Sequence, residues 1–284
     1  MRRVFKDDKL QMHFEANGYC IVPLLTEDDI QELERIYYAN RVEEQPAMER
    51  LTSSKNFDLS RNIKELTGAI VLKRLGEYLI DYKLLYSGFI TKVPGKPNQM
   101  RLHQDPTFVD ETQFQALNVW SPLVDVNADN GALWIIPRSN KFFDGFRGQP
   151  IRALDFSEIS QEVTDKYGIM LPMKAGEVII YDAALFHYSL ANTTDKARIA
   201  CASLVVPDES VPIYHYHNKE RNTIDVYEIE GDFMIKYFSE YLKTGKVDAK
   251  LLSSRPYAEP RKVAIDEFEE RYHYYNNANG LNAV

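Results

Sequence analysis

His103 and Asp105 stand two residues apart in the stretch Met100-Arg101-Leu102-His103-Gln104-Asp105-Pro106-Thr107-Phe108. On an extended strand, side chains two apart leave the same face. One rigid piece of backbone can therefore aim an imidazole and a carboxylate at a single divalent cation. Two histidines and one carboxylate, with coordination positions left open, are the ligand set of non-haem Fe(II) oxygenases. His187, in Ala184-Leu185-Phe186-His187-Tyr188-Ser189, is the candidate second imidazole. Eleven residues later Arg198 offers a planar fork of donors that matches a carboxylate at two points. An arginine in the apolar run Arg198-Ile199-Ala200-Cys201-Ala202 requires an anion, because an unpaired buried charge is costly. That anion is either an acidic co-substrate or an internal aspartate, Asp182 or Asp195.

Donor type alone does not choose the metal, since zinc accepts similar ligands in hydrolytic sites. Two other readings therefore stay open: an oxygen-independent isomerase, lyase or hydrolase, and a non-catalytic metal- or co-substrate-binding protein. His-Glu-x-x-His is absent, as are glycine-rich phosphate loops, and Ser189 lacks the Gly-x-Ser-x-Gly elbow of a nucleophilic serine.

The elements that must position these residues follow from the apolar periodicity. Asn17-Gly18 marks a turn, and Tyr19 to Leu25 reads as a strand. Thr26 offers a helix cap, with Glu27, Asp28 and Asp29 in the first turn, so a helix is predicted over about 27–40. Residues 41–60 read as irregular, and a second helix is expected over about 61–81. From Leu84 the period changes to that of strands, at about 84–93, the His103 stretch within 100–108, 115–123, 132–137, 176–182, the His187 segment within 184–189, and 197–207. Between them, residues 139–170 form a long loop with a helix near 157–167. Short strands separated by Gly, Pro and Asn turns fit a jelly roll better than a βαβ array. Helices are expected over about 227–245 and 262–275. The fold class is thus mainly β with flanking helices. The organisation is one domain over 1–284: a helical N-terminal part to about 82, a core over about 84–207, and a helical C-terminal extension from about 208.

With 284 residues, 27% charged and 44% hydrophobic, the chain can bury a substantial core. A net charge of −8 gives no support for a nucleic-acid partner. Two cysteines, Cys20 and Cys201, are too few for a disulfide framework or a thiolate zinc site. No apolar segment approaches the ~20 residues of a membrane helix, and no apolar run follows the basic start Met1-Arg2-Arg3 as in a secretory leader. A soluble, cytoplasmic protein acting on a small molecule is the expectation, and oligomeric state is not readable.

Four motifs carry a family resemblance. They are His103-Gln104-Asp105; Asp129-Asn130-Gly131-Ala132-Leu133-Trp134-Ile135-Ile136-Pro137-Arg138-Ser139; Gly176-Glu177-Val178-Ile179-Ile180-Tyr181-Asp182; and His187 with Ser189, Asn192 and Arg198. In this order and spacing the chain resembles the phytanoyl-CoA dioxygenase family of Fe(II)/2-oxoglutarate oxygenases, over about residues 10–207. The resemblance implies a double-stranded β-helix (jelly-roll, cupin-like) core. It implies iron held by His103, Asp105 and His187, with O2 as oxidant. The distal carboxylate of 2-oxoglutarate would be held by Arg198 with Ser189, and Gln99, Asn118 or Trp134 would lie near its other end. For Trp134, core packing is the competing reading. Asp105 fills a position that is a small residue in the halogenating branch of the family, which implies hydroxylation.

Candidate substrate-lining residues are Arg101, Phe108, Phe142, Phe143, Phe146, Arg147, Tyr214 and His215. Arg101 and Arg147 point toward a substrate carboxylate or phosphate. His215 and His217 raise a second metal site, against ordinary polar contacts. An amino-acid-like or natural-product metabolite is the expected substrate type.

Overall fold

The computed structural model describes residues 2–41, 48–50, 56–148, 151–241 and 244–277. The chain begins with helix α1 (Asp8–Asn17), strand β1 (Tyr19–Pro23), helix α2 (Glu27–Asn40), strand β2 (Met48–Arg50) and helix α3 (Phe57–Leu75). Strands β3 (Tyr82–Lys92), β4 (Met100–His103), β5 (Leu117–Pro122), β6 (Leu133–Ile135) and β7 (Leu154–Asp155) follow. Helix α4 (Ser160–Tyr167) then leads into β8 (Ile169–Leu171), β9 (Glu177–Asp182), β10 (His187–Ser189) and β11 (Arg198–Pro207). The last part comprises β12 (Ile213–Asn218), β13 (Thr223–Glu228), the helical turn α5 (Phe233–Lys236), β14 (Lys250–Pro256), β15 (Arg261–Lys262) and helix α6 (Ile265–Asn277).

Two sheets face each other. The larger has the order β1-β9-β5-β11-β3-β2, the smaller β4-β10-β6-β8, and the pairings between neighbours are antiparallel. Interleaving of distant strands across two antiparallel sheets is the double-stranded β-helix expected from the turn-separated strands. Parity assigns the faces. On β11, Ile199 and Cys201 join Val119, Val178 and Ile180 in an outer layer against the N-terminal helices. Arg198, Ala200 and Ala202 therefore face the smaller sheet. That outer layer includes Phe14 of α1, Leu33, Ile36 and Tyr37 of α2, and Ile63, Val71 and Leu75 of α3. Fully burying such an aliphatic or aromatic side chain contributes ~1.5–3 kcal/mol over leaving it exposed.

Local chemistry sets the helix bounds. Thr26 accepts from the Asp29 amide while Asp29 accepts from the Thr26 amide, a reciprocal cap that starts α2 where the sequence placed it. Asn56 caps α3 four residues earlier than expected by accepting from the Leu59 amide, and the helix ends at Leu75 rather than near 81. Helix α1 is a correction: Asn17-Gly18 is a helix terminus, not only a turn. Gly18 sits at φ +82° and its amide donates to the Phe14 carbonyl. A Cβ there would lie 2.5 Å from Asn140 Oδ1, so conformation and space both demand glycine. Most of the stretch 41–60 read as irregular lies outside the described residues; Met48–Arg50 within it is a strand.

The C-terminal extension departs most from expectation. The stretch assigned to a helix over 227–245 instead completes β13, turns through α5, and continues into a wider π-helical turn at Tyr237–Tyr241. Strands β12, β13 and β14 form an antiparallel sheet of their own. Thr223-Ile224-Asp225-Val226-Tyr227-Glu228 alternates with period two, a strand pattern. The polar Asp225 within it is fully buried and accepts from Thr223, Ser254, Asn218 and Arg221, so its charge is satisfied. Helix α6 forms where one was expected. It lays Phe268, Tyr272 and Tyr275 against Phe142 on the outer side of the smaller sheet. No helix among the described residues is long and apolar enough to cross a membrane.

Candidate metal and co-substrate site

Backbone pairing brings the three ligand candidates together. His103 ends β4 and His187 begins β10, and the two are direct cross-strand partners. Asp105 follows β4, its amide donating to Ala183 O at 2.9 Å. The side-chain amide of Gln104, the middle residue of the motif, donates to Ala184 O at 2.6 Å and ties the same two segments. His103 Nε2 lies 3.7 Å from Asp105 Oδ1, and His187 Nε2 lies 3.6 Å from Asp105 Oδ2. The ligand atoms of the three residues all fall within 4.8 Å of one another, the only such group among the described residues.

The protonation pattern is set by the partners. His103 Nδ1 is 2.8 Å from Arg101 O, and His187 Nδ1 is 2.9 Å from Leu185 O. A carbonyl accepts only, so each Nδ1 carries the proton and each Nε2 lone pair faces the carboxylate. A metal-ligating histidine is commonly held in this way by its second nitrogen. Asn118 donates its amide to Asp105 Oδ2 at 2.8 Å, orienting the carboxylate. The donor set and its second layer fit a divalent cation.

Arg198 enters from the larger sheet. It is 2% exposed, one guanidinium nitrogen donates to Ile90 O at 3.2 Å, and its buried Nε has no partner. Neither aspartate considered as an internal partner forms an ion pair with it: Asp182 instead accepts from Gln115 and Asn140. The guanidinium carbon sits 5.2 Å from the Trp120 ring. Burial pulls its pKa down, yet arginine keeps its proton in proteins, so a cation is held in the interior. Its cross-strand partner is Lys92, also fully buried, whose ammonium donates to Leu190 O. Burial, and then the Arg198 charge, push the Lys92 ammonium down to about 7. Gly131 makes room for this lysine, because a Cβ there would lie 2.8 Å from Lys92 Cδ and 2.9 Å from Leu190 O.

The two groups share one cavity of about 140 Å³. Along β11, Ala202 pairs with Trp120 and Leu204 with Asn118. Trp120, beside the guanidinium, and Asn118, bonded to the Asp105 carboxylate, are thus two residues apart on β5, about 7 Å. Small side chains on the rungs between, Ala200, Ala202 and Gly88, leave the floor open. Ser189 lines the same cavity.

Of the other sequence candidates, Asn118 and Phe108 line this cavity, with the Asn118 amide engaged by Asp105. Gln99 is exposed and does not line it. Trp134 lies on the opposite face of β6, stacked on Tyr188 at 5.5 Å, because Leu133 and Ile135 take the inward positions. Phe142 is core, packed against Phe268 and Tyr275. Tyr214 is buried between Phe233 and Tyr237. Arg101 is exposed, and its contribution is the carbonyl that holds His103. Phe143 and Phe146 line neighbouring clefts, and His215 stacks on Phe146 at 5.1 Å. His217 stacks on Tyr257 at 4.2 Å, and no metal-type cluster forms with His215 among the described residues.

Arg147 is the informative departure. It is paired through both terminal nitrogens with Glu111, and its Nε donates to the Asp105 carbonyl at 2.8 Å. Burial pushes the Glu111 carboxyl up, opposed by Arg147 beside it. This arginine braces the Asp105 backbone, and its charge is met by Glu111. Tyr181 was not anticipated; its hydroxyl is 3.4 Å from His187 Nε2 inside the cavity. Burial, with Asp105 nearby, holds its phenol well above the usual range, so it stays protonated. Its inward parity on β9, one residue before Asp182, was the available signal.

The fold and the site together define a double-stranded β-helix carrying a two-histidine, one-carboxylate cluster opposite a buried arginine. The chain belongs to the phytanoyl-CoA dioxygenase (PhyH) family, whose description matches residues 14–200. Among curated relatives, a phytanoyl-CoA dioxygenase domain-containing protein 1 from Danio rerio is 32% identical over 128 residues, 42% of this chain and 43% of that protein. Phytanoyl-CoA dioxygenase 1 from Oryza sativa is 28% identical over 158 residues, 55% of this chain and 53% of that protein. The chain thus spans about half the length of the curated relatives it matches. Among solved structures, the epimerase SnoN in complex with Fe3+, alpha ketoglutarate and nogalamycin RO aligns with TM-score 0.53 at 15% identity, covering 92% of this chain and 96% of that one. The non-heme alpha ketoglutarate dependent carbocyclase SnoK aligns with TM-score 0.53 at 16% identity, covering 72% and 86%. At these identities the likeness is one of fold.

Proposed function

We propose that this protein is an Fe(II)/2-oxoglutarate-dependent dioxygenase that hydroxylates an aliphatic C–H of a small molecule. The observation that carries the reading is the pairing, in one cavity, of the His103–Asp105–His187 cluster with an arginine whose buried Nε has no partner. The spacing between Trp120 and Asn118 is one that a five-carbon dicarboxylate spans.

Iron bound by the cluster would supply the O2-dependent decarboxylation of 2-oxoglutarate to succinate and CO2, coupled to substrate oxidation. The protein's own part is positional. His103 and His187 present Nε2 because their Nδ1 protons are committed to Arg101 and Leu185 carbonyls. Asn118 fixes one carboxylate oxygen of Asp105, and Arg147 fixes its backbone. Arg198 takes the distal carboxylate through charge-assisted hydrogen bonds, with the Ser189 hydroxyl beside it. Ile90, Trp120 and Leu133 give the cavity apolar walls that limit water around the reacting atoms. Asp105 supports hydroxylation over halogenation, because a carboxylate occupies the position an anion would need. The epimerase and carbocyclase activities named for the two structural neighbours also make the oxidation outcome a matter for product analysis.

The test is succinate release from 2-oxoglutarate with Fe(II), ascorbate and O2 across a broad panel of small molecules. Succinate above background, absent in His187→Ala, supports the reading. No succinate from iron-loaded protein with any compound would overturn it.

A further inference from the structure

The cavity has a second end. Six residues along β11 from Arg198, Leu204 lines it together with Phe108 and Met234, which form one apolar cluster with Tyr86 packed against it, and with Pro106. Leu204 pairs across β3 with Tyr86 and across β5 with Asn118, so this end begins level with the Asp105 carboxylate. The acidic and basic side chains of the cavity are groups already given a role: Asp105 and the two histidines at the proposed metal position, and Arg198 for the co-substrate; its two phenols, Tyr86 and Tyr181, carry no charge as phenols. The nearby arginine that could have met an anionic substrate, Arg147, is neutralised by Glu111. Ser203, also in the lining, has its hydroxyl engaged by Ser87 at 2.8 Å.

Met234 comes from the C-terminal extension, outside the residues that match the family. Its short helix α5 is held on both sides. Phe233 packs on Tyr214 and Tyr241 with ring centroids at 5.5 Å in each case. Asp232 accepts from Arg61 of α3 at 2.6 Å, and Lys64 donates to Gly231 O at 2.6 Å. The wall is therefore anchored, while its tip is an unbranched thioether that adapts to the shape it meets.

Resting on the dioxygenase reading above, we propose that this end is the substrate chamber, that it takes an uncharged apolar carbon skeleton, and that Met234 sets the size of the skeleton admitted. A charged group placed among Phe108, Leu204 and Met234 would be desolvated without a partner. An ionic headgroup, where a substrate has one, stays outside this end. This replaces the expectation of a substrate carboxylate or phosphate met by Arg101 or Arg147.

The test uses the full chain, anaerobic and loaded with Fe(II) and 2-oxoglutarate. Three probes sharing one ring are titrated by calorimetry: cyclohexylmethanol, cyclohexanecarboxylate and cyclohexylmethylammonium. The neutral alcohol should bind about tenfold or more tighter than either ion, since each ion meets the uncompensated desolvation cost. Met234→Trp should weaken the alcohol by about tenfold or more through overpacking, whereas Met234→Leu should change it by less than about threefold. Met234→Glu should invert the preference toward the ammonium probe; if that variant fails to fold, the Trp and Leu variants carry the test. Equal binding of ions and alcohol, no binding of the alcohol, or indifference to Met234→Trp would each overturn the inference. A visible charge-transfer band on adding 2-oxoglutarate, with any of those results, defeats the chamber alone. Absence of the band defeats the dioxygenase reading itself.

Discussion

A carboxylate that is to hold a cation must first be held itself, and Asp105 is gripped at both ends. Asn118 donates to its side chain and Arg147 to its carbonyl. Loss of a group that orients a metal ligand typically costs 10–100-fold in metal affinity. Arg147→Ala should therefore weaken Fe(II) binding by about that factor, and Glu111→Gln should do so less, because the Nε contact survives. Equilibrium dialysis against Fe(II) measures this; unchanged affinity in Arg147→Ala would show that the brace is not used. Arg198 acts on the other partner. Removing two charge-assisted hydrogen bonds of ~1.5–3 kcal/mol each should raise the 2-oxoglutarate dissociation constant by roughly a hundredfold or more while leaving Fe(II) binding in place. An Arg198→Ala protein that bound 2-oxoglutarate normally would remove this residue from the account.

At the scale of elements, the pairing of β3 with β11 sets Lys92 beside Arg198 in the interior. The folded-state pKa of Lys92 is depressed to about 7, by burial first and by Arg198 second. In the unfolded chain a lysine titrates at ~10.4. Between these values the unfolded chain binds a proton that the native state has lost, so this lysine's contribution to stability rises with pH across that window and levels off above it. Compared with the wild type, Lys92→Met should be more stable near pH 7 and should show a smaller rise in Tm from pH 7 to 10. Parallel Tm curves for the two proteins would contradict the assignment. Elements also show what could be read before the structure. Helix α2 was legible because its cap, its acidic first turn and its apolar spacing agree. The core strands were legible from their period-two runs between turns. Helix α1 was not, because Asn17-Gly18 signals a turn and a helix terminus alike. The strand β13 was missed although Ile224 and Val226 alternate with Thr223 and Asp225. The candidate positions followed the same division: His103, Asp105, His187 and Arg198 stand out by type, whereas Tyr181 and Met234 look like ordinary core residues until the sheets are laid face to face. Trp134, which the resemblance set near the co-substrate, packs on Tyr188 instead because Leu133 and Ile135 take the inward positions of β6.

Across the whole molecule, the smaller sheet brings the two histidines, the loop after β4 brings the carboxylate, the larger sheet brings the arginine, and the extension closes the far end. None of these segments makes the site alone, so a co-substrate that bridges the sheets should report on all of them. The most direct measurement is an anaerobic ultraviolet–visible titration of Fe(II) and then 2-oxoglutarate into the metal-free protein. The expected result is a weak visible charge-transfer band that requires both additions, is lost in His187→Ala, and needs far more 2-oxoglutarate in Arg198→Ala. Iron that binds to the cluster without any such band when 2-oxoglutarate is added would contradict the account and move the protein to oxygen-independent metal chemistry.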